Sequence, residues 1–269
     1  MSLMSQDAER ELERAWELEE GGRLVEARRL GERLLRTHPE EPEVLLLLGA
    51  CAQGQGDVES ALELFKRAAA ADRQWPVPEL WAAELLAEQP GGLSEARRRL
   101  EALVRRHPDV ADAWYGLGGV CEALEDEKGK RRAWRETLRL DAAQPETESS
   151  LTEAEIAEVA EDALLELSPH ARRLLADVPI LIADLPARED VATGLDPRLL
   201  GLFVGTPYPE LSGVGGAAHL TQIVLFRRNL ERVAEDEESL REQIRITLLH
   251  ETGHFFGMSE EDLDEVGLG

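Results

Sequence analysis

Residues 41–71 read EPEVLLLLGACAQGQGDVESALELFKRAAAA, and this stretch decides the fold of the first half of the chain. Leu48-Gly49, Ala61, Phe65 and Ala68 place small and large residues at helical spacing on either side of a turn at Gly56-Asp57. A single hairpin of this kind cannot bury its apolar face, so neighbouring copies are expected. They are present on both sides. Gly22 and Ala27 lie 34 residues before Gly56 and Ala61. A third copy carries Gly91, Leu93, Ala96, Leu100, Leu103 and Pro108. A fourth begins with Trp114, Leu117-Gly118 and Cys121. It is read as continuing, after an insertion from Glu125 to Lys130, with Ala133, Leu140 and Pro145. Pro39, Pro108 and Pro145 each close a unit, because proline cannot continue a helix.

Across residues 8 to 145 these positions resemble the tetratricopeptide repeat (TPR) family, although Arg14 and Glu84 stand where that family usually has Leu and Gly. Ala27, Ala61, Ala96 and Ala133 are assigned to the close approach of two helices in a hairpin. Leu48, Phe65 and Leu117 are assigned to the layers between hairpins. The resemblance implies an all-α solenoid over residues 1–145. Its concave surface would bind a protein partner or a substrate peptide.

The whole chain has 269 residues and a formal net charge of −25. A field of that sign repels phosphate backbones and anionic lipid, which argues against nucleic acid or a membrane surface as partner. The polar start MSLMSQDAERELER lacks the pattern of a secretory signal, and no run approaches a membrane span. Cys51 and Cys121 have no metal-like neighbours in sequence and are expected as buried free thiols in a reducing compartment, the cytoplasm.

The stretch DAAQPETESS at 141–150 has no apolar periodicity and reads as a linker. The second domain is placed at residues 146–269. Thr152 and Glu155 form a capping-box pair ahead of a helical stripe at Ile156, Val159, Ala160, Ala163, Leu164 and Leu167. Strands are expected within Val178–Leu185, Leu199–Val204 and Thr221–Phe226. The glycine-rich LSGVGGAAH lies between the second and third of these. A short helix is expected around Leu230. A longer one, capped by Ser239, should reach about Phe256, with Gly257 at its left-handed end.

That last helix contains His250-Glu251-Thr252-Gly253-His254. Histidines four apart share one helix face, one turn apart, and can grip one Zn²⁺. Glu251 beside them can take a proton from water that the metal has acidified. A third ligand is needed. Glu260 is the first choice, since Gly257 lets the chain leave the helix sharply and fold back. Glu261, Asp264 and Glu265 are competitors.

Residues 150 to 269 resemble a small bacterial zincin-like metallopeptidase family. The likeness is carried by Gly201-Leu202-Phe203-Val204-Gly205, by Ile223-Val224-Leu225-Phe226-Arg227 and by Leu249-His250-Glu251-Thr252-Gly253-His254-Phe255-Phe256-Gly257. It implies an α+β minimal zincin domain with a small sheet beside the motif helix, and an acidic ligand at Glu260. It also implies substrate addition to a sheet-edge strand, for which TQIVLF is the candidate. Two functions follow as expectations. One is a zinc metallopeptidase with Glu251 as general base, and His219 or Tyr208 as oxyanion helper. The other is a non-enzymatic TPR adaptor with a structural or degenerate zinc site.

Overall fold

A computed structural model describes residues 4–145, 151–208 and 221–268. The chain divides into two compact units, Met1–Leu140 and Asp141–Gly269. The division falls five residues before the Pro145 at which the sequence reading ends the first domain. The linker 141–150, apart from its first residues Asp141–Pro145, lies outside the described residues.

The first unit is a run of antiparallel helical hairpins: α1 (Gln6–Glu20), α2 (Leu24–Thr37), α3 (Pro42–Gly54), α4 (Val58–Ala71), α5 (Val77–Ala87), α6 (Leu93–Arg106), α7 (Ala111–Ala123) and α8 (Glu127–Ala143), whose residues from Asp141 on belong to the second unit. Small residues let the two helices of a hairpin touch. A Cβ on Gly49 would run into the Phe65 ring, and one on Gly118 into the Trp134 ring. Ala27, Ala61 and Ala96 are fully buried at the same joint.

The fourth copy differs from the sequence reading. There is no insertion at Glu125 to Lys130. Gly22, Gly56 and Gly91 take positive φ in the turns of the first three copies, and Glu125 takes the same conformation, φ 58°, in the fourth. Counting five residues on from each turn gives Ala27, Ala61, Ala96 and Lys130, so Lys130 and not Ala133 holds the small-residue place. Its side chain is buried (8% exposed). The cost of burying its charge is offset by Glu122 and Glu127 at 3.4 and 3.0 Å and by the face of Trp134. A non-glycine residue in a left-handed turn costs roughly 1–2 kcal/mol, and with no glycine to mark it the turn of the fourth copy was read as an insertion.

The second unit packs α9 (Glu153–Leu165) and α13 (Glu237–Phe255) around a three-stranded sheet of β1 (Ile180–Ala183), β2 (Gly201–Val204) and β3 (Gln222–Phe226). The smaller helices are α10 (Pro169–Leu175), α11 (Arg188–Thr193), α12 (Arg227–Val233) and α14 (Glu260–Glu265). Ile156 and Ala160 from α9, Ile223 and Leu225 from β3, and Ile244 and Leu248 from α13 form the core. The strand order is β1-β3-β2, with β1 parallel and β2 antiparallel to β3. This corrects one expectation. TQIVLF is the central strand, its backbone engaged on both sides, and cannot receive a substrate. The edges are β1 and β2.

The capping box of Thr152 and Glu155 is present. The motif helix starts earlier than expected. Asp236 is its N-cap and Ser239 is the reciprocal third residue, each side chain accepting from the other's backbone N–H. One buried ion cluster anchors the start of the unit. The Asp141 carboxylate, 2% exposed, lies 3.0 Å from Arg198 and 2.9 Å from Arg232, and Arg228 donates to the Asp141 carbonyl. Among the described residues no helix is long and apolar enough to cross a membrane.

Candidate metal centre

The helical rise of α13 stacks His250 and His254, with ring centroids 4.7 Å apart and Nε2 atoms 3.0 Å apart. The chain leaves α13 through Gly257, turns at Ser259 and starts α14 with Glu260 as its first residue. The Ser259–Asp262 capping box fixes that start. Glu260 then lies with Oε2 3.6 Å from His250 Nε2 and Oε1 3.3 Å from His254 Nε2. What seats α14 is Gly253. Any Cβ there would collide with the buried Leu263, so the unassigned fourth position of the motif is spoken for by packing.

Among the described residues His250, His254 and Glu260 form the metal-capable group, with donor atoms all within 4.8 Å of one another. The donor chemistry can be tested on the far side of each ring. His250 Nδ1 is 2.7 Å from the Leu268 carbonyl, and His254 Nδ1 is 3.2 Å from the Met258 carbonyl. A carbonyl only accepts, so each Nδ1 carries the hydrogen and each Nε2 is left with a lone pair. Two lone pairs and a carboxylate facing one point repel unless a cation sits among them. Two bonds of about 2.0–2.1 Å at a tetrahedral angle put donor atoms about 3.3 Å apart. The observed 3.0, 3.3 and 3.6 Å bracket that figure. The three donor groups fit a zinc ion.

Glu251 is set apart from this trio. It is 6% exposed and accepts a 2.7 Å hydrogen bond from the Phe203 N–H of β2. Burial pushes its carboxyl above the usual carboxylate range, and the Phe203 N–H pulls the other way. Gly201 makes the approach possible. A Cβ there would stand 2.6 Å from Thr247 Cγ2 and 3.0 Å from Glu251 Cγ. Phe203 N–H points away from β3, so by the alternation of an antiparallel pair its carbonyl lies on the same outer edge.

Of the proposed helpers, Tyr208 lies against the buried Phe255 ring, 5.9 Å between centroids, with 40% of its surface exposed. His219 and the glycine-rich LSGVGGAAH lie outside the described residues. Sequence reasoning missed the backbone groups of Phe203, Met258 and Leu268. No side chain announces them. The signals that existed were Gly201, read only as part of the GLFVG segment, and Gly267, which was not read at all.

Comparison with known families agrees with this layout. Residues 175–268 match the zincin-like metallopeptidase model, and residues 6–87 and 85–145 match two tetratricopeptide repeat models. The chain therefore carries a TPR array followed by a zincin-like metallopeptidase domain. No curated protein matches it. Similar solved structures include a MamA fragment from Desulfovibrio magneticus (19% identity, 65% of this chain and 92% of that one, TM-score 0.44). A thermophilic TPR protein from Thermus thermophilus is 23% identical over 63% of this chain and 87% of its own, TM-score 0.45. The pilF protein of Pseudomonas aeruginosa is 16% identical over 97% of both chains, TM-score 0.49.

Proposed function

We propose that this chain is a zinc-dependent peptidase, with His250, His254 and Glu260 as ligands and Glu251 as general base, whose repeat array binds the substrate protein or a partner that brings it. The observation that carries the reading is the convergence of two imidazole lone pairs and a carboxylate on one point, with a buried carboxylate, Glu251, in the same helical turn as the two histidines. Bound there, zinc supplies Lewis acidity toward a water and a scissile carbonyl. Glu251, with its proton affinity raised by burial, takes a proton from the attacking water and later passes it to the leaving amine. The Phe203 N–H holds one Glu251 oxygen and leaves the other for the water. The edge strand β2, whose outward Phe203 N–H is taken by Glu251, still offers the outward Phe203 carbonyl to an extended peptide that adds along it. The field of a chain carrying −25 favours substrates and partners that are not acidic.

The test compares two substitutions in the full-length protein. Glu251→Gln keeps the side-chain shape and the bond from Phe203 but cannot take a proton. It should retain about one zinc per chain while peptide hydrolysis falls by about 100-fold or more. Glu260→Ala should lose both metal and activity. A zinc-loaded wild type that cleaves nothing across a diverse peptide library would favour the adaptor reading. An active enzyme whose rate is unchanged in Glu251→Gln would overturn the mechanism.

A further inference from the structure

Two glycines close the two helices that carry the ligands. Gly257 follows α13 with φ 80°, and Gly267 follows α14 with φ 77°. After α13, the Met258 N–H donates to the Gly253 carbonyl and the Gly257 N–H to the His254 carbonyl, both at 3.0 Å. After α14, the Leu268 N–H donates to the Leu263 carbonyl at 2.9 Å and the Gly267 N–H to the Asp264 carbonyl at 3.1 Å. Each is the bond pair of a Schellman cap, and each needs the left-handed residue that glycine provides. The residue just after the glycine then turns its own carbonyl onto a histidine. Met258 meets His254 Nδ1 at 3.2 Å, and Leu268 meets His250 Nδ1 at 2.7 Å.

We infer that the two caps are paired positioning devices. The carbonyls of Met258 and Leu268 hold His254 and His250 in the Nδ1–H tautomer and aim both Nε2 lone pairs at one point. This deepens the metal reading and rests on it. The physical reason is that an imidazole free to choose its tautomer presents a lone pair at Nε2 only part of the time. A free ring also rotates about its side-chain bonds. An acceptor fixed on the far nitrogen removes both freedoms before any ion arrives, which raises affinity. The same helix-ending motif, used twice at an interval of ten residues, thereby builds the outer layer of the site from main chain alone.

Gly267 is the position to test, because a Cβ there meets nothing within 4 Å and a substitution acts only through backbone conformation. Gly267→Val disfavours the left-handed turn and displaces the Leu268 carbonyl. Leu268→Ala keeps that carbonyl and serves as the control. Two quantities are read in the full chain: zinc affinity by chelator competition, and the His250 and His254 tautomers by nitrogen-15 NMR of metal-free protein. Gly267→Val should weaken zinc by about 10- to 100-fold. It should also turn His250 from a single Nδ1–H form into a mixture, leaving His254 as it was. Leu268→Ala should change neither reading. If Gly267→Val does not fold, deletion of residues 267–269 removes the same carbonyl and should give the same two results. Unchanged affinity and tautomer in the folded variant would overturn the inference. So would an equal loss in Leu268→Ala, which would assign the effect to side-chain packing. A wild type that binds no zinc but holds His250 in the Nδ1–H form, lost in Gly267→Val, would support the caps and sink the metal reading alone.

Discussion

Both units use glycine inside helices, where Gly253 matches Gly49 and Gly118, and at helix ends, where Gly22, Gly56 and Gly91 match Gly257 and Gly267, but they differ in what those glycines serve. In the array, Gly49 and Gly118 sit inside helices and give up a side chain so that Phe65 and Trp134 can press against the backbone. In the C-terminal unit, Gly257 and Gly267 sit beyond helix ends and give their conformational freedom so that the next carbonyl points at a ring. The first use fills space, and it recurs two hairpins along, with Glu84 at the matching place between. The second use fixes a direction, and each cap serves one histidine. An array built of repeats tolerates a poor copy, as the turn at Glu125 and the buried Lys130 demonstrate. A site whose outer bonds occur once each has no such reserve.

This contrast can be broken most sharply by making one kind of change in both regions. The largest expected effect is at the chemistry itself. His254→Ala should abolish zinc binding and peptide hydrolysis together while the array keeps its helical circular dichroism. If metal stays bound in that variant, the ligand assignment fails. Next comes Gly253→Ala, which drives a methyl into Leu263 and lifts α14 away from α13. Overpacking of this kind costs about 1–3 kcal/mol. It should appear as weakened zinc affinity, because Glu260 moves with α14. Gly118→Ala makes a comparable clash with Trp134. It should lower the thermal midpoint of the array by a few degrees and leave zinc affinity unchanged. Equal metal affinities in the two variants would erase the distinction drawn here.

Asp141→Ala should be felt in the C-terminal unit. Removing a buried carboxylate takes from Arg198 and Arg232 the ion-pair partner they share, and both guanidinium groups keep some access to water. A loss of about 2–3 kcal/mol is expected, below the full cost of an isolated buried charge. Differential melting, with zinc retention marking the second unit, would detect it. The smallest effect concerns the thiols. Cys51 is fully buried, and burial pushes its thiol up to about 11. It should not react with iodoacetamide at pH 8 until the array unfolds. The sign follows from the raised value. A thiol whose folded pKa exceeds its unfolded one stabilises the fold below the unfolded pKa, near 8.5. That contribution is lost as pH climbs toward about 11. Cys51→Ala should remove this part of the alkaline loss.

Periodic features were legible in the sequence. The 34-residue spacing of Gly22 and Gly56, the His250–His254 interval and the Thr152–Glu155 box are local patterns, and local geometry follows from them. The strands were legible as apolar runs, but their order was not. Whether Gln222–Phe226 is central or at the edge depends on which chain segments flank it, and nothing within those five residues encodes that. The Asp141 cluster joins residues 57 apart in sequence at Arg198 and was invisible for the same reason. The outer bonds to the histidines come from backbone carbonyls, which every residue possesses, so no residue type could flag them.

The position of Asp141 bears on how such a protein can be cut and rejoined. Asp141 lies in the last turn of α8 and is the first residue of the low-periodicity stretch where a cloner would place a junction. A graft of residues 146–269 onto a foreign array would leave three arginines, Arg198, Arg228 and Arg232, without the carboxylate and carbonyl that they grip. The portable cassette therefore begins before residue 141. A recombination event that swaps the array must carry those few helical residues along, or be selected against as an unstable hybrid.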